Sequence, residues 1–210
     1  MPINLQKGQT INLEKSQYDL SQVTIGLGWD IRKPQESGFL GRLLSNPAEE
    51  FDLDAIAFLL DANEKLRNVG SDRLQGGDVI FFNNQQHSSG TIWLTGDNRT
   101  GAGEGDDEQI IVRLNSIGPE FHKIVFLVDI YKGKERNQHF GLVENSFIRA
   151  VDAKGQEMAR YDISREPSFK GIGTLIFAEV YRRGEGWKFR ALGEPQQVES
   201  FVETLRNRYL

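Results

Sequence analysis

The residues best suited to chemistry lie in one short stretch, Asp97 to Glu108, which holds five acids and one base. Its formal charge of −4 is most of the −5 carried by the 210-residue chain. Glycines at 101, 103 and 105 punctuate the stretch and free the backbone for positive φ and tight turning. Two carboxylates about 5 Å apart repel by roughly 3 kcal/mol at an effective dielectric near 20. A folded loop that gathers this many acids needs full solvation or a cation. The residue types suit a hard metal, Ca²⁺ first and Mg²⁺ second.

Known loop patterns do not cover the stretch. Asp97 and Glu108 stand at positions 1 and 12 of a twelve-residue run, as in an EF-hand. Positions 3 and 5 are Arg99 and Gly101, however, and the flanks read as strands rather than helices. A phosphate cradle around Gly101, Gly103 and Gly105 fails too, because no lysine follows and the acids repel phosphate.

Other acids stand where they could join the loop. Val23, Ile25, Leu27 and Trp29 alternate with small or polar residues, a strand pattern that ends at Asp30. A second strand is expected over 51–60. One of its faces reads Asp52, Asp54, Ile56, Phe58, Leu60, so both carboxylates are expected at the rim, about 7 Å apart. Further strands are expected over 9–14, 78–82, 90–95, 109–115, 123–131, 145–152, 157–163, 174–182 and 187–192. Short strands with polar turns between them predict an all-β fold, a sandwich of two mainly antiparallel sheets. Loops cluster at the ends of a sandwich. Asp30, Asp52, Asp54 and the acidic loop could then supply the six to eight oxygens that Ca²⁺ takes, with the carbonyls of Gly103 and Gly105 added.

Two segments depart from the strand pattern. Residues 31–50 form a long connection with an apolar centre, Phe39 to Leu44, which either packs back on the sandwich or docks a partner or membrane surface. Val198, Phe201, Val202, Leu205 and Tyr209 recur at helical spacing and predict an amphipathic helix over 195–210, facing the core or a partner. The expected organisation is one domain over 1–194 followed by this helix.

Several function classes are set aside. The chain has no cysteine, which removes disulfides, thiolate metal sites and thiol redox chemistry. Its acidic balance and lack of a basic cluster argue against nucleic acid. No apolar run is long enough to span a membrane and no signal peptide is visible. His87, His122 and His139 are scattered and read as surface residues. Arg182, Arg183, Lys188 and Arg190 read as an outward solvated face. Paired carboxylates can do acid–base work, so a metal-dependent hydrolase using Asp52 or Asp54 is the alternative to a binding module.

The sequence resembles the TerD family of tellurium-resistance and stress-response proteins. The matching pieces include Gly26-Leu27-Gly28-Trp29-Asp30, Phe51-Asp52-Leu53-Asp54-Ala55, Phe82-Asn83-Asn84, Gly96-Asp97-Asn98-Arg99-Thr100-Gly101 and Gly105-Asp106-Asp107-Glu108. Later pieces are Asn145-Ser146-Phe147-Ile148-Arg149 and Glu179-Val180-Tyr181-Arg182. The resemblance implies a β-sandwich that binds one or two Ca²⁺ ions at acidic loops. Its acidic positions fall on Asp30, Asp52, Asp54, Asp97, Asn98, Asp106, Asp107 and Glu108. It also implies a non-enzymatic stress-response role in an assembly with other Ter-type proteins, one of them membrane-embedded. The expected compartment is the cytoplasm, with the inner face of the membrane reached through such a partner. Tellurite is an anion that an acidic pole repels, and no thiol is present to reduce it, so any resistance would be indirect. A small-molecule substrate is not expected. The chain departs from the family pattern in the length of 31–50 and after Gly193.

Overall fold

Period-two alternation of apolar residues builds two sheets, and a computed structural model describes them over residues 3–31, 51–95, 105–163 and 169–210. The strands in chain order are β1 (Ile3–Asn4), β2 (Thr10–Leu13), β3 (Val23–Ile31), β4 (Leu53–Leu60), β5 (Val79–Ile80) and β6 (Ile92–Thr95). There follow β7 (Glu108–Val112), β8 (Lys123–Ile130), β9 (Val143–Val151), β10 (Glu157–Asp162), β11 (Thr174–Arg183) and β12 (Gly186–Gln196). One helix, α1 (Phe201–Arg208), closes the described chain.

The first sheet has the order β1-β10-β9-β3-β7-β6 and the second β2-β12-β11-β8-β4-β5. Every pairing is antiparallel except β1 with β10. Antiparallel sheets bury one face each and stack. Ile25, Leu27, Ile110 and Val112 from the first sheet meet Leu53, Ala55, Phe126 and Phe189 from the second in the main core.

The outer faces differ. On the second sheet, Ile56, Phe58, Leu60, Val125 and Leu127 point outward and would be wet without cover. Phe201, Leu205 and Tyr209 of the helical segment cover them and form a second core. Each such side chain gains about 2 kcal/mol from burial. The nearly continuous apolar run of β8 thus serves two cores, as a central strand covered on both sides should. The helix begins at Phe201 rather than 195, because β12 continues to Gln196 with Pro195 opposite Leu175. Glu203 in its first turn takes the Glu199 N–H at 2.9 Å, and Arg206 and Arg208 lie in its last turn, both favourable toward the helix dipole.

Candidate metal centre and its surroundings

The three acids nearest the centre of the predicted site point to three different strands. β3 pairs with β7 as far as Leu27 opposite Glu108. One residue beyond, the Asp107 N–H bonds to the Leu27 carbonyl and its carboxylate accepts the Trp29 N–H, both at 2.8 Å. The side chain replaces the missing rung of the ladder. Glu108 points between the sheets and is 2% exposed. Its carboxylate accepts the Ala55 N–H of β4, which lies beyond the Ala57 and Phe58 positions that β5 pairs. A buried N–H left unpaired there would be costly, so Glu108 ties one sheet to the other.

Asp106 turns the opposite way, onto the outer face of the first sheet. It holds Arg149 as a two-point fork, Nε to Oδ1 at 2.7 Å and Nη2 to Oδ2 at 3.1 Å, and Gln109 adds a bond at 3.1 Å. Gly26 pairs with Gln109 on one side and Arg149 on the other. The Asp106 carboxylate lies directly over it, where any Cβ at position 26 would collide with it. Gly28 makes the same allowance for the Phe147 ring and for the Gly105 carbonyl, 2.9 Å from where its Cβ would stand. The alternation of glycine with Leu27 and Trp29 is therefore a cleared track along the sheet.

Burial holds the Asp107 carboxyl above its ordinary range; Asp30 and Asp106 add repulsion, and the Trp29 N–H opposes them. Asp30 is exposed and accepts the Asn145 amide at 2.8 Å.

Relatives agree with this architecture and sequence. The TerD domain model matches residues 1–209. The chain belongs to the TerD family. It is 55% identical to tellurium resistance protein TerX of Serratia marcescens over 212 aligned positions, covering 99% of each chain. It is 38% identical to stress response protein SCP2 of Bacillus subtilis, covering 100% of each. A crystal structure of a homologue of telluride resistance protein (TerD) from Streptomyces coelicolor A3(2) has the same fold. Its TM-score is 0.61 at 22% identity, over 88% of this chain and 95% of that one.

The acidic positions expected of a TerD protein are only partly brought together. Asp30 and Asp106 lie near enough to Asp107, at the end of β3 and β7, to act on its carboxylate, and Gly105 directly precedes Asp106. Glu108 is adjacent but aimed inward. Asp54 lies on the helix side of β4 with Ile56 and Phe58, opposite Asp129 of β8 in register. The face that starts acidic does become core, but the outer core under α1 rather than the interior between the sheets. Asp52 is partly buried, and its carbonyl takes the Tyr131 N–H at 2.8 Å. Asp97, Asn98 and Gly103 lie outside the described residues, as do residues 32–50. Among the described residues, no group of three or more His, Asp or Glu side chains is placed to hold a metal ion.

His87 is not a surface residue in this TerD chain. It is 8% exposed, with Nε2 3.2 Å from Asp78 and Nδ1 2.8 Å from the Ser89 hydroxyl. The order Asp–His–Ser is that of an activated nucleophile. Yet the Ser89 N–H is spent on His87 Nδ1 and the Gly90 N–H on the His87 carbonyl. Neither is left as an oxyanion donor beside the hydroxyl. Asp78 also takes the Arg67 and Asn68 N–H groups, so the cluster buttresses two loops. His122 is exposed as expected. His139 is partly buried, and burial followed by Lys170 holds it below its ordinary range. Of the expected solvated basic face, Arg183 is exposed, while Arg182 and Arg190 are partly buried and engaged within the fold. Arg182 donates to the carbonyls of Ile117, Gly118 and Phe121, and Arg190 pairs with Glu179.

Two residues important to these sites escape a sequence reading. Arg149 neutralises Asp106 from 43 positions away, and its signals in the sequence, an outward strand phase and a place in one family-matching piece, name no partner. Asp129 sits in an apolar run, accepts the Thr174 hydroxyl and the Phe201 N–H, and is pushed by burial up to about 7.

Proposed function

We propose that this TerD-family protein is a calcium-binding, non-enzymatic stress-response module, acting as a scaffold or Ca²⁺-dependent sensor with other Ter-type proteins. The observation that carries the reading is Asp107, whose carboxyl is raised first by its burial and then by repulsion from Asp30 and Asp106. A divalent cation would relieve that repulsion. Ca²⁺ takes six to eight oxygens, so the proposed ligands are Asp30, Asp107 and the Gly105 carbonyl, completed by Asp97, Asn98 and Gly103. Asp106 and Glu108 then serve as supports, since Arg149 and the Ala55 N–H already engage them. Asp54 is left out of this proposed set because it lies on the helix side of β4, and Asp52 because it stands two residues before Asp54 on the same phase of the chain.

The same placement weakens the hydrolase alternative, which needs Asp52 or Asp54 beside the metal. The acidic balance favours protein partners over nucleic acid. The cytoplasm is the compartment proposed, with a membrane-embedded Ter-type protein among the partners. Among the described residues no helix is long and apolar enough to cross a membrane.

Calorimetry with Ca²⁺ on chelator-stripped protein, together with melting, tests the reading. An ion that binds only the native state adds RT ln(1 + [L]/Kd), about 2.7 kcal/mol at 100 Kd. The expected result is heat on titration and a raised melting temperature that Asp107→Asn removes. No heat and no melting shift in millimolar Ca²⁺ would sink it. Turnover of a phosphoester that Asp54→Asn abolishes would establish the hydrolase instead.

A further inference from the structure

Among the described residues five large apolar side chains are exposed, and three of them, Val69, Phe82 and Leu210, line one groove of about 600 Å³. The groove runs between α1 and the loop 69–74, with Phe81, Phe201 and Leu205 in its walls. Phe82 is 45% exposed, an unfavourable place for a ring on a soluble surface. It is nevertheless held there. Phe81 and Asn84 exchange both backbone hydrogen bonds around it, at 3.2 and 2.9 Å. The Asn84 amide bonds to the carbonyls of Gly77 and Val79 and accepts the Gly76 N–H. The Phe81 ring supports the Phe82 ring edge-on at 5.1 Å. A ring fixed in this way loses little entropy when a partner covers it.

The rims supply the charge. Arg73 on the loop and Arg206 on the helix both line the groove and are exposed. Neither forms an ion pair with a described residue, and Asp72 is the one acid in the lining. A chain of net charge −5 thus carries two arginines, unpaired among the described residues, against one acid, around an apolar groove. We infer that this groove docks a short apolar segment of a partner protein whose flanks are acidic. The apolar residues cover Phe82 and Val69, and the flanking carboxylates meet Arg73 and Arg206. An isologous second copy would set arginine against arginine, and a basic amphipathic segment would meet the same repulsion. This surface uses α1, 69–74 and 81–82, none of which holds the acids of the calcium reading, so either proposal can fail alone.

The test uses the full chain and two peptides of about twelve residues with the same apolar residues at helical spacing, one flanked by Glu and one by Lys. Binding is followed by fluorescence anisotropy. The Glu-flanked peptide should bind about tenfold tighter. Arg206→Glu should reverse that order, and Phe82→Asp should weaken both peptides with the melting temperature unchanged. If Phe82→Asp lowers melting, the reversal by the exposed Arg206→Glu decides. With benzoylphenylalanine introduced at position 82, light should cross-link the Glu-flanked peptide. The proposal is overturned by no binding at millimolar peptide, or by equal binding that ignores Arg206→Glu. It is equally overturned by cross-linking to a second copy or back onto the same chain.

Discussion

Two sets of buried carboxylates among the described residues, one at the end of β3 and β7 and one under α1, are held by different means. At the end of β3 and β7, Asp106 meets a guanidinium in a two-point fork, and Asp107 and Glu108 meet backbone N–H groups. Under α1, Asp129 meets a hydroxyl and one N–H, with no cationic partner among the described residues, and burial pushes it up to about 7. Burial is alike, with Glu108 at 2% and Asp129 at 9% exposure. The difference teaches that an acid in a core is a strut when a cation matches its charge, as Arg149 matches Asp106, and that burial raises its carboxyl when none does, as at Asp129 and, in the same direction, at Asp107.

The largest expected effect breaks the matched set. Arg149→Ala strands Asp106, whose side chain is 1% exposed, and should cost about 3 kcal/mol in urea unfolding. Glu108→Ala leaves the Ala55 N–H buried and should cost about 2 kcal/mol, with or without Ca²⁺. The unmatched acid should behave in the opposite sense. The folded pKa of Asp129 lies above its unfolded value, so its contribution to stability is present below about pH 4 and lost as pH rises through about 7. Asp129→Asn should therefore raise stability by about 1–2 kcal/mol at pH 8 and leave it little changed at pH 4. Melting of both proteins across that range checks the sign. The smallest effect is Asp30→Asn, an exposed change expected to move stability by less than about 0.5 kcal/mol. In calorimetry it should still weaken Ca²⁺ binding. If instead it costs as much as Arg149→Ala, Asp30 belongs with the struts.

Much of this was legible in the sequence, because alternation is a local property. The runs at 23–30, 51–60 and 123–130 report their own strands, and the stripe Phe201, Leu205, Tyr209 reports a helix seeking an apolar surface. What alternation cannot report is which side of a sheet is inside. β4 is apolar on both faces, so Asp54 could not be assigned from pattern, and it went to the helix side. Residues joined across the fold were equally hidden. Arg149 gains its meaning from Asp106, and His87 from Asp78, through contacts that no spacing encodes. Gly26 and Gly28 stood out as a motif, yet their use became visible only with the Asp106 carboxylate lying over the first and the Gly105 carbonyl over the second.

The run from Gly105 to Glu108 also behaves as a ruler. Its three acids are addressed in turn to β9, β3 and β4, the first two through 2.7 and 2.8 Å bonds. Surface connections usually tolerate insertions and deletions, and the neighbouring stretch is rich in the glycines that make them easy. Here a single added residue would shift every carboxylate by one address. The guanidinium, the Trp29 N–H and the Ala55 N–H would all be mismatched at once. A one-residue insertion anywhere between Gly105 and Glu108 should therefore lower the melting temperature more than the loss of any one of these three carboxylates.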